Sequence, residues 1–551
     1  MSSASFPGRF APWVLVAVVL FFLLPGTATL PLLDRDEPRF AQATVEMSER
    51  GNWIVPTFGG RPRYDKPALS YWIIAGGMAI AGPGEFGARL GSIACTLLLV
   101  LFVWRTGQRW FGPQAGFIAG FALATSLQIF VHGRLAVADL PMVLSVTVAM
   151  VALAELLGLT GVPEKSGAAM GQSRWWWALY LSLGFGFLAK GPIGLAVPLV
   201  ALLSFRFLPG RIPLDGSRLK AGRGLLLSLA IVAVWGLPAL MVTRGEFWTV
   251  GIGEHVIQRG LEPFNDRPYH VWFYLASAPV SLFPWVAYAG TVWQVSRRNR
   301  DPATAWLVAW MLAPVLIFTG YGTQLPHYVL PALPAFFLLL GRALATSGPV
   351  PAGTRFGRVL VQLWAAVLLL AVGLVATWPT APSLVTLRAG LACLLIIVAG
   401  MGLSSLVVTG RRSLLGYVGI GLVVLGSLGL GQAARAVHLV VSNVARWRQT
   451  PANVRLVGFN FSEPSLVFYV GRPWWWANNA AELNSILAVP GPVRVTALAR
   501  ECDVLTLFRG RPQWMHRPEP EAFVGQAFTE LQGLNMGRGT WQVLRVYSRP
   551  E

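Results

Sequence analysis

The chain is poor in charge and almost without cysteine. Only 12% of its 551 residues are Asp, Glu, Lys or Arg, whereas 54% are hydrophobic. Soluble domains carry about 25% charged residues, so this composition excludes an ordinary water-soluble protein. Cys95 and Cys393 lie in apolar runs, and Cys502 stands alone in the C-terminal region. A disulfide within that region is therefore excluded, and cysteine usage does not identify the compartment.

Long apolar runs dominate the first 436 residues. A helix needs about 20 mostly apolar residues to cross the hydrocarbon core, so these runs predict a polytopic α-helical membrane protein with about 13 transmembrane helices. The segment Leu69–Ile80 is apolar but too short, and we expect it to be an interfacial helix along the membrane. The expected spans lie near residues 11–31, 87–104, 113–131, 140–160, 174–189, 191–208, 224–243, 271–293, 303–320, 328–345, 357–377, 385–409 and 413–433.

Basic and acidic loops alternate between these spans. By the positive-inside rule the basic loops are cytoplasmic, so an odd number of spans places the N-terminus inside and the region after the last span outside. Thr27-Ala28-Thr29 leaves a cleaved signal peptide as the alternative for the first span. Because the net charge of +20 is spread over short loops, we expect contact with membrane lipids and no nucleic acid partner.

The last residues, 437–551, differ in composition and predict a soluble periplasmic α/β domain, whereas residues 1–436 form the membrane domain with interfacial helices at 36–80. Strands are expected at Leu456–Phe459, Val493–Leu498 and Trp541–Val546, and helices at Glu463–Val470 and Ala480–Leu487. Two interpretations of the run Trp474 to Trp476 stay open. It either lies at the membrane interface, where indoles are favoured, or is partly buried in the domain.

Polar residues collect in the outer loops rather than inside the spans. Transporters place charges near mid-membrane, so this distribution favours chemistry at the outer membrane surface. The first outer loop is the densest cluster, with Asp34, Asp36 and Glu37 followed by a helix expected at Phe40–Glu49. The alternative is a solvated loop whose charges only set the topology.

Several motifs resemble those of a known family. An apolar span followed by DRDEPRFA, a surface helix and RYDKPALSYW is similar to the first outer loop of the GT-C glycosyltransferases. HGRLAVADLPM, FLAKGPIG and GTQLPHYVLPALP continue the resemblance. Within that class the chain most resembles the bacterial lipid A aminoarabinose transferases, which are related to the protein O-mannosyltransferases. It departs from them at Asp65, where members often have Glu, and at Gln324–Tyr328, where a Lys is frequent.

The resemblance implies two catalytic carboxylates, Asp36 and Asp139. Asp139 alternatively acts as a helix N-cap. In the mannosyltransferases the position of Asp36 is interpreted as a general base. A phosphate acceptor is already anionic, because its second pKa is about 6, so we expect Asp36 to position the sugar by pairing with a protonated amino group.

Cationic side chains would hold the donor phosphate and stabilise the charge that develops on the leaving group. Lys190 alternatively only snorkels to the membrane surface. Glu37, Tyr64 and Arg134 are expected to contact the sugar or the acceptor. The expected ligands of the donor phosphate are Arg39, Lys66, Lys190, Tyr328 and His327.

The sequence does not require a cofactor. Asp65, His255 and His270 are candidate ligands for a divalent cation, Zn²⁺ or Mg²⁺, with Glu254 or Glu262 assisting, although histidines fifteen residues apart are a weak signal. A Gly-rich nucleotide loop is missing from the sequence, so a nucleotide-sugar donor is not expected.

The resemblance thus implies an inverting transferase in the bacterial inner membrane, acting as a monomer at the periplasmic face. It would move 4-amino-4-deoxy-L-arabinose from undecaprenyl phosphate to lipid A phosphates and so give resistance to polymyxin and other cationic peptides. The alternatives are another polyprenyl-phosphate-sugar transferase with a protein or glycan acceptor, and a lipid flippase or transporter. A binding-only role for the C-terminal domain also stays open.

Overall fold

A computed structural model describes residues 8–33, 36–160, 168–261, 269–346, 352–377, 384–408, 414–508 and 510–549. By length and composition, eight helices in these ranges are able to cross a membrane, and one bent pair makes a ninth. The helices of the membrane domain are α1 Ala11–Leu23, α2 Asp36–Arg50, α3 Leu69–Ala81, α4 Glu85–Phe111, α5 Pro113–Ala124, α6 Leu127–His132, α7 Asp139–Leu156, α8 Ala168–Lys190, α9 Ile193–Phe205, α10 Ala221–Val242, α11 Glu246–Trp248, α12 Arg259–Leu261, α13 Phe273–Ser281, α14 Ala289–Arg298, α15 Pro302–Thr319, α16 Leu333–Thr346, α17 Ala352–Thr377, α18 Val385–Ser404 and α19 Leu414–Val437.

Each of the thirteen predicted spans coincides with a helix or with a broken pair of helices, so the polytopic helical fold is confirmed. Three spans differ in their course. The first ends at Leu23 instead of residue 31, since Pro25 cannot continue a helix. The span near 271–293 bends by 107° before Trp285, at Pro284.

The third difference is a break between α5 and α6. The Thr125 hydroxyl donates to the carbonyl oxygen of Phe121 at 2.8 Å, and the Ser126 hydroxyl donates to that of Leu123 at 2.9 Å. Ser and Thr hydroxyls that bond to backbone carbonyls compete with the backbone hydrogen bonds of a helix. The amide of Leu127 then donates at 2.8 Å to the carbonyl oxygen of Phe283, outside its own helix.

Small residues allow close packing between α18 and α19. A Cβ atom added at Gly419 would lie 2.6 Å from the carbonyl oxygen of Gly400, so the two backbones touch directly. Apolar side chains gain little by leaving lipid for another helix, and close backbone contact of this kind is a main source of helix association in membranes. The two glycines thereby fix the last helix before the C-terminal domain.

The C-terminal domain is a mixed α/β layer, as the sequence predicts. Its sheet has the order β4-β3-β5-β8-β7, with β4-β3-β5 parallel, the remaining pairs antiparallel, and β6 added to β5. Its helices are α20 Leu439–Arg448, α21 Pro464–Val470, α22 Ala480–Leu487 and α23 Val504–Phe508. Its strands are β3 Arg455–Phe459, β4 Trp474–Ala477, β5 Val493–Asp503, β6 Met515–His516, β7 Phe528–Asn535 and β8 Thr540–Arg549, while β1 Thr57–Phe58 and β2 Arg61–Pro62 form a hairpin in the first outer loop.

The tryptophan run forms the edge strand β4. Because side chains alternate across a strand, Trp474 is buried at 7% exposure whereas Trp475 is 46% exposed. The rings of Trp474 and Trp476 stack with centroids 5.7 Å apart. The structure therefore agrees with the interpretation that the run is partly buried in the domain.

Candidate active site

Residues 24–33, which follow α1, form turns and coil without a helix or strand, so their backbone polar groups need other partners. Arg89 of α4 supplies them by donating to the carbonyl oxygens of Thr27 at 2.9 Å, Leu30 at 2.6 Å and Pro31 at 2.8 Å. It also forms a bidentate ion pair with Glu37 at 2.8 and 2.7 Å. The two side chains are 0% and 1% exposed. This buried pair fixes the path of the chain that leads into α2.

Glu37 has a different role from the sugar contact that the sequence predicts. Besides Arg89, its carboxylate accepts from the amide of Leu33 at 2.9 Å and from that of Ala136 at 2.8 Å. Four donors occupy its two oxygens, so the carboxylate has little capacity left for a sugar hydroxyl. Glu37 therefore positions the chain at the start of α2.

Asp36 begins α2 and its side chain is exposed. A carboxylate in the first turn of a helix is favoured by the helix dipole, and exposure leaves this one accessible to a ligand. Arg39 lies in the same helical turn, three residues later, and is half-buried. The neighbouring Glu37 holds the chain in place while Asp36 faces outward.

Asp139 and Lys190 come together, although 51 residues separate them. Asp139 begins α7, Lys190 ends α8, and the Lys190 ammonium donates to the Asp139 carboxylate. The ammonium also lies 5.6 Å from the centre of the Tyr328 ring. His327 lies beside it, with its ring centroid 5.0 Å from that of Tyr328. Four predicted site residues thus form one cluster.

Two features position Lys190. Helix α8 ends there because Gly191 follows with a φ of +73°, a left-handed conformation that favours glycine. The Ser70 hydroxyl of α3 donates to the carbonyl oxygen of Ala189 at 3.0 Å. This bond ties the end of α8 to the helix that begins just after Lys66. The two lysines are therefore held in one region.

A groove lies between these two lysines and helix α10. Its cavity volume is about 120 Å³, and its walls are mostly apolar. Trp235 of α10 anchors one wall by donating from its indole nitrogen to the carbonyl oxygen of Ile54 at 2.9 Å. We call this the apolar groove. Its lining residues are Tyr64, Asp65, Lys66, Pro67, Phe187, Lys190, Gly191, Pro192, Val232, Trp235, Gly236, Ala239, Leu240, Phe247, Trp248, Gly251, Ile252 and Val256.

Tyr64 stands between the apolar groove and a second, more polar recess. Its hydroxyl donates to Glu246 at 2.8 Å, and its ring packs edge-on against Phe247. Burial and the adjacent Glu246 carboxylate raise the pKa of Tyr64, so the phenol stays a proton donor at neutral pH. Arg244 and Asn52 also line this recess. A polar and an apolar compartment therefore meet at one tyrosine.

Arg134 does not contact the apolar groove. Its guanidinium donates to the carbonyl oxygen of Phe22 and to the hydroxyl of Ser427 at 3.4 Å, and it lies 4.1 Å from the centre of the Phe130 ring. Arg134 is only 6% exposed. It joins α1, α6 and α19, so the structure gives it a packing role instead of the predicted contact with sugar or acceptor.

The divalent cation at Asp65, His255 and His270 stays a prediction. Asp65 pairs with Arg63 at 3.0 Å. The His270 ring stacks on Trp272, and its amide donates to Gln324 at 2.9 Å. The side chain of His255 and the residue Glu262 lie outside the described residues. Within the described ranges no three His, Cys, Asp or Glu side chains are close enough to hold a metal ion.

Two residues of the site were missed at the level of sequence. The ring of His132 lies 5.2 Å from that of His327, and Glu246 accepts from Tyr64. His132 opens the motif HGRLAVADLPM, so its proximity to a known motif was a usable signal. Glu246 has no comparable motif, because its partner lies 182 residues away in the chain.

The chain is similar to several known proteins. The family model described as dolichyl-phosphate-mannose-protein mannosyltransferase matches residues 65–236. An undecaprenyl phosphate-alpha-4-amino-4-deoxy-L-arabinose arabinosyl transferase of Edwardsiella ictaluri is 28% identical over 77% of this chain and 71% of its own. A second one, of Pseudomonas fluorescens, is 30% identical over 60% of this chain. The matched stretch spans 56% of that relative's length.

Solved structures have the same fold. The structure of ArnT from Cupriavidus metallidurans bound to undecaprenyl phosphate superposes with a TM-score of 0.74, covers 98% of both chains and is 21% identical. An oligosaccharyltransferase from Archaeoglobus fulgidus has a TM-score of 0.53 over 89% of this chain and 69% of its own, at 11% identity. At these identities the likeness establishes the fold alone.

The chain has the GT-C fold, and its motifs and relatives indicate a polyprenyl-phosphate-dependent glycosyltransferase. Within that class the chain is a homologue of the undecaprenyl phosphate-aminoarabinose arabinosyl transferases. The resemblance inferred from the motifs is thereby confirmed.

Proposed function

We propose that the chain transfers 4-amino-4-deoxy-L-arabinose from undecaprenyl phosphate to phosphate groups of lipid A, with inversion at the sugar. The observation that carries the proposal is the apolar groove with Lys66 and Lys190 in its lining. A polyprenyl phosphate combines a long apolar chain with one anionic head, and this groove offers complementary surfaces for both.

The isoprenoid chain would lie against α10. Val232, Trp235, Ala239 and Leu240 of that helix line the apolar groove. Other apolar residues of α10 face outward, among them Val234 at 77% exposure. A helix that is exposed and apolar on its outer side suits contact with lipid. The donor is therefore expected to reach the apolar groove laterally from the membrane.

The donor phosphate would lie between the ammonium groups of Lys66 and Lys190, beside Tyr328. In the transfer, an oxygen of the acceptor phosphate forms a bond to the anomeric carbon of the sugar. The bond from that carbon to the donor phosphate oxygen breaks, and undecaprenyl phosphate leaves with the electron pair. The lysines stabilise the charge gained by the leaving phosphate.

Asp36 would position the sugar, since a phosphate acceptor needs no base to become nucleophilic. Its exposed carboxylate can pair with the protonated amino group of the donor. The polar recess beyond Tyr64 carries Arg244, whose guanidinium matches an anionic acceptor. Zn²⁺ or Mg²⁺ at Asp65, His255 and His270 remains part of the proposal, and metal analysis of the purified protein with transfer assays in EDTA would test it.

The enzyme would act as a monomer in the bacterial inner membrane, with its site and its C-terminal domain in the periplasm. The basic loops predicted to be cytoplasmic support this orientation. Capping a lipid A phosphate with an amino sugar removes negative charge from the cell surface. Polymyxin and other cationic peptides would then bind less strongly.

The match to a mannosyltransferase family over residues 65–236 keeps a protein acceptor as the second candidate function. The experiment is mass spectrometry of lipid A from cells with and without this gene, combined with transfer assays of the purified chain on lipid A and on a Ser/Thr peptide. A pentosamine increment on lipid A is the expected result. Sugar on the peptide alone would favour the second candidate, and lipid movement without any covalent product would favour a flippase.

A further inference from the structure

Helix α21 of the C-terminal domain reaches the membrane domain. Phe468 packs against the apolar cluster of its own domain, which includes Leu466. The same ring packs against a second cluster that includes Phe40 and Met47 of α2. One side chain therefore bridges the two domains at the helix that carries Asp36.

Tyr469, the next residue, makes two hydrogen bonds across the domain boundary. Its oxygen accepts from the amide of Leu32 at 2.8 Å, and its hydroxyl donates to Glu85 at 3.3 Å. Glu85 in turn pairs with Arg435 at 2.8 Å. Tyr469 is 7% exposed. Burial and the nearby Glu85 raise the pKa of Tyr469, so the donating proton is present at physiological pH.

The C-terminal domain holds Tyr469 in place. Glu463, the N-cap residue of α21, is 1% exposed and accepts from Asn535 at 2.9 Å and from Arg538 at 3.1 Å. Arg448 of α20 donates to the carbonyl oxygen of Tyr469 at 2.8 Å. Helix α21, which carries the phenol, is thus fixed to β7 and α20 of its own domain.

Leu32 belongs to the segment that leads into α2. In this segment Arg89 donates to the carbonyl oxygens of Thr27 and Pro31, and the amide of Leu33 donates to Glu37. The amide of Leu32 is held by a residue from the other domain. We infer that Tyr469 is a positioning residue for Asp36, through which the C-terminal domain sets the geometry of the transfer site.

This inference rests on the proposed function for its kinetic test. The variant is Tyr469→Phe in the full-length protein, which keeps the ring and removes both hydrogen bonds. The matched control is Tyr547→Phe. Tyr547 is also buried in the same domain, and its hydroxyl donates to Glu519 at 2.7 Å, within that domain. Transfer rates are measured with an undecaprenyl-phosphate-linked amino sugar and lipid A.

A buried hydrogen bond of this kind is expected to change kcat about five- to tenfold. We expect Tyr469→Phe to lower kcat by that factor with an unchanged KM for the donor, because the apolar groove is intact. Tyr547→Phe should keep the wild-type kcat. A wild-type kcat in Tyr469→Phe would overturn the inference, and so would an equal loss in both variants.

Hydrogen exchange tests the contact without any activity. The peptide containing Leu32 should exchange faster in Tyr469→Phe than in the wild type, while Tyr547→Phe leaves it unchanged. Equal exchange of this peptide in the three proteins would overturn the inference. If the wild-type protein does not modify lipid A, the proposed function fails alone, and the exchange result still decides the role of Tyr469.

Discussion

Lys190 forms an ion pair with Asp139 that joins the last residue of α8 to the first turn of α7. The side chains are 16% and 9% exposed. A lysine beside both a carboxylate and the Tyr328 ring is held in the lining of the apolar groove before any ligand arrives. An arriving phosphate would meet a cation that is already oriented.

Replacing this lysine should therefore weaken donor binding. Lys190→Gln removes a charge-assisted contact worth about 1.5–3 kcal/mol, so kcat/KM is expected to fall roughly 10- to 100-fold. Lys220→Gln is the control, because Lys220 is exposed in a loop on the predicted cytoplasmic side. Steady-state transfer assays on both proteins measure the effect. Equal activity of the two variants would contradict a role for Lys190 in donor binding.

Asp36→Asn should affect chemistry without affecting folding. The side chain is exposed, so the free energy of unfolding should change by less than about 0.5 kcal/mol. If Asp36 pairs with the amino group, the variant loses transfer of the amino sugar but keeps transfer of a neutral sugar from the same lipid carrier. Paired assays with the two donors measure this. Equal loss with both donors would sink the pairing role.

Glu37→Gln, one residue further, should have the opposite effect. It leaves the buried Arg89 without its counter-charge, and breaking such a pair costs about 3–5 kcal/mol. Glu49→Gln is the control, because Glu49 lies exposed on the same helix. Thermal unfolding of the two purified proteins makes the comparison. Normal stability together with lost activity in Glu37→Gln would restore the direct sugar contact expected from the sequence.

The C-terminal domain should lose stability in acid through His438. Burial lowers the pKa of His438 from 6.5 to about 4, and its ring nitrogen accepts from the amide of Val441 at 3.3 Å. The unfolded chain therefore binds a proton first as the pH falls. The stabilisation is complete above pH 6.5 and declines toward pH 4, by up to about 3 kcal/mol.

The control for this pH dependence uses two substitutions. In His438→Asn the side-chain oxygen replaces the accepting ring nitrogen and cannot titrate, so the loss between pH 6.5 and 4 should disappear. His516→Asn, at an exposed histidine of the same domain, should keep the wild-type profile. Melting curves at a series of pH values measure both. An unchanged profile in His438→Asn would assign the acid sensitivity to another group.

Helix packing in the membrane can be tested at two glycines of α19. Gly419→Ala places a Cβ atom 2.6 Å from a carbonyl oxygen of α18, and overpacking of this kind costs about 1–3 kcal/mol. A Cβ atom at Gly421 meets nothing within 4 Å, so Gly421→Ala should be neutral or slightly stabilising. The melting temperatures of the two variants measure this difference. Similar values would mean that the α18–α19 contact does not control stability.

The sequence predicts the helical scaffold well, because lipid demands long apolar runs and few other signals are needed. Breaks such as that at Thr125 depend on hydroxyl bonds that hydropathy does not detect. In the C-terminal domain the sequence predicts α22 correctly. It does not predict β7, since the outward face of this strand is polar and pairing with β8 stabilises it.

For the site, motifs identify residues singly but not their partners. Asp139, Lys190 and Tyr328 come from three distant segments, and each was predicted from its own motif. Glu37 and Arg134 carry the same kinds of charge as the residues proposed to bind the donor and the acceptor. They differ because both are buried, Glu37 against Arg89 and Arg134 against the Phe22 carbonyl oxygen. This burial depends on how the helices cross.

The apolar groove along α10 also determines how the rate should depend on substrate. A donor that enters sideways from the bilayer is diluted by other lipids, not by the volume of buffer. Transfer should therefore follow the mole fraction of donor in the leaflet. Adding inert phospholipid at constant total donor should slow the enzyme, whereas adding water should not. The membrane is in this sense the solvent of the reaction as well as the support of the fold.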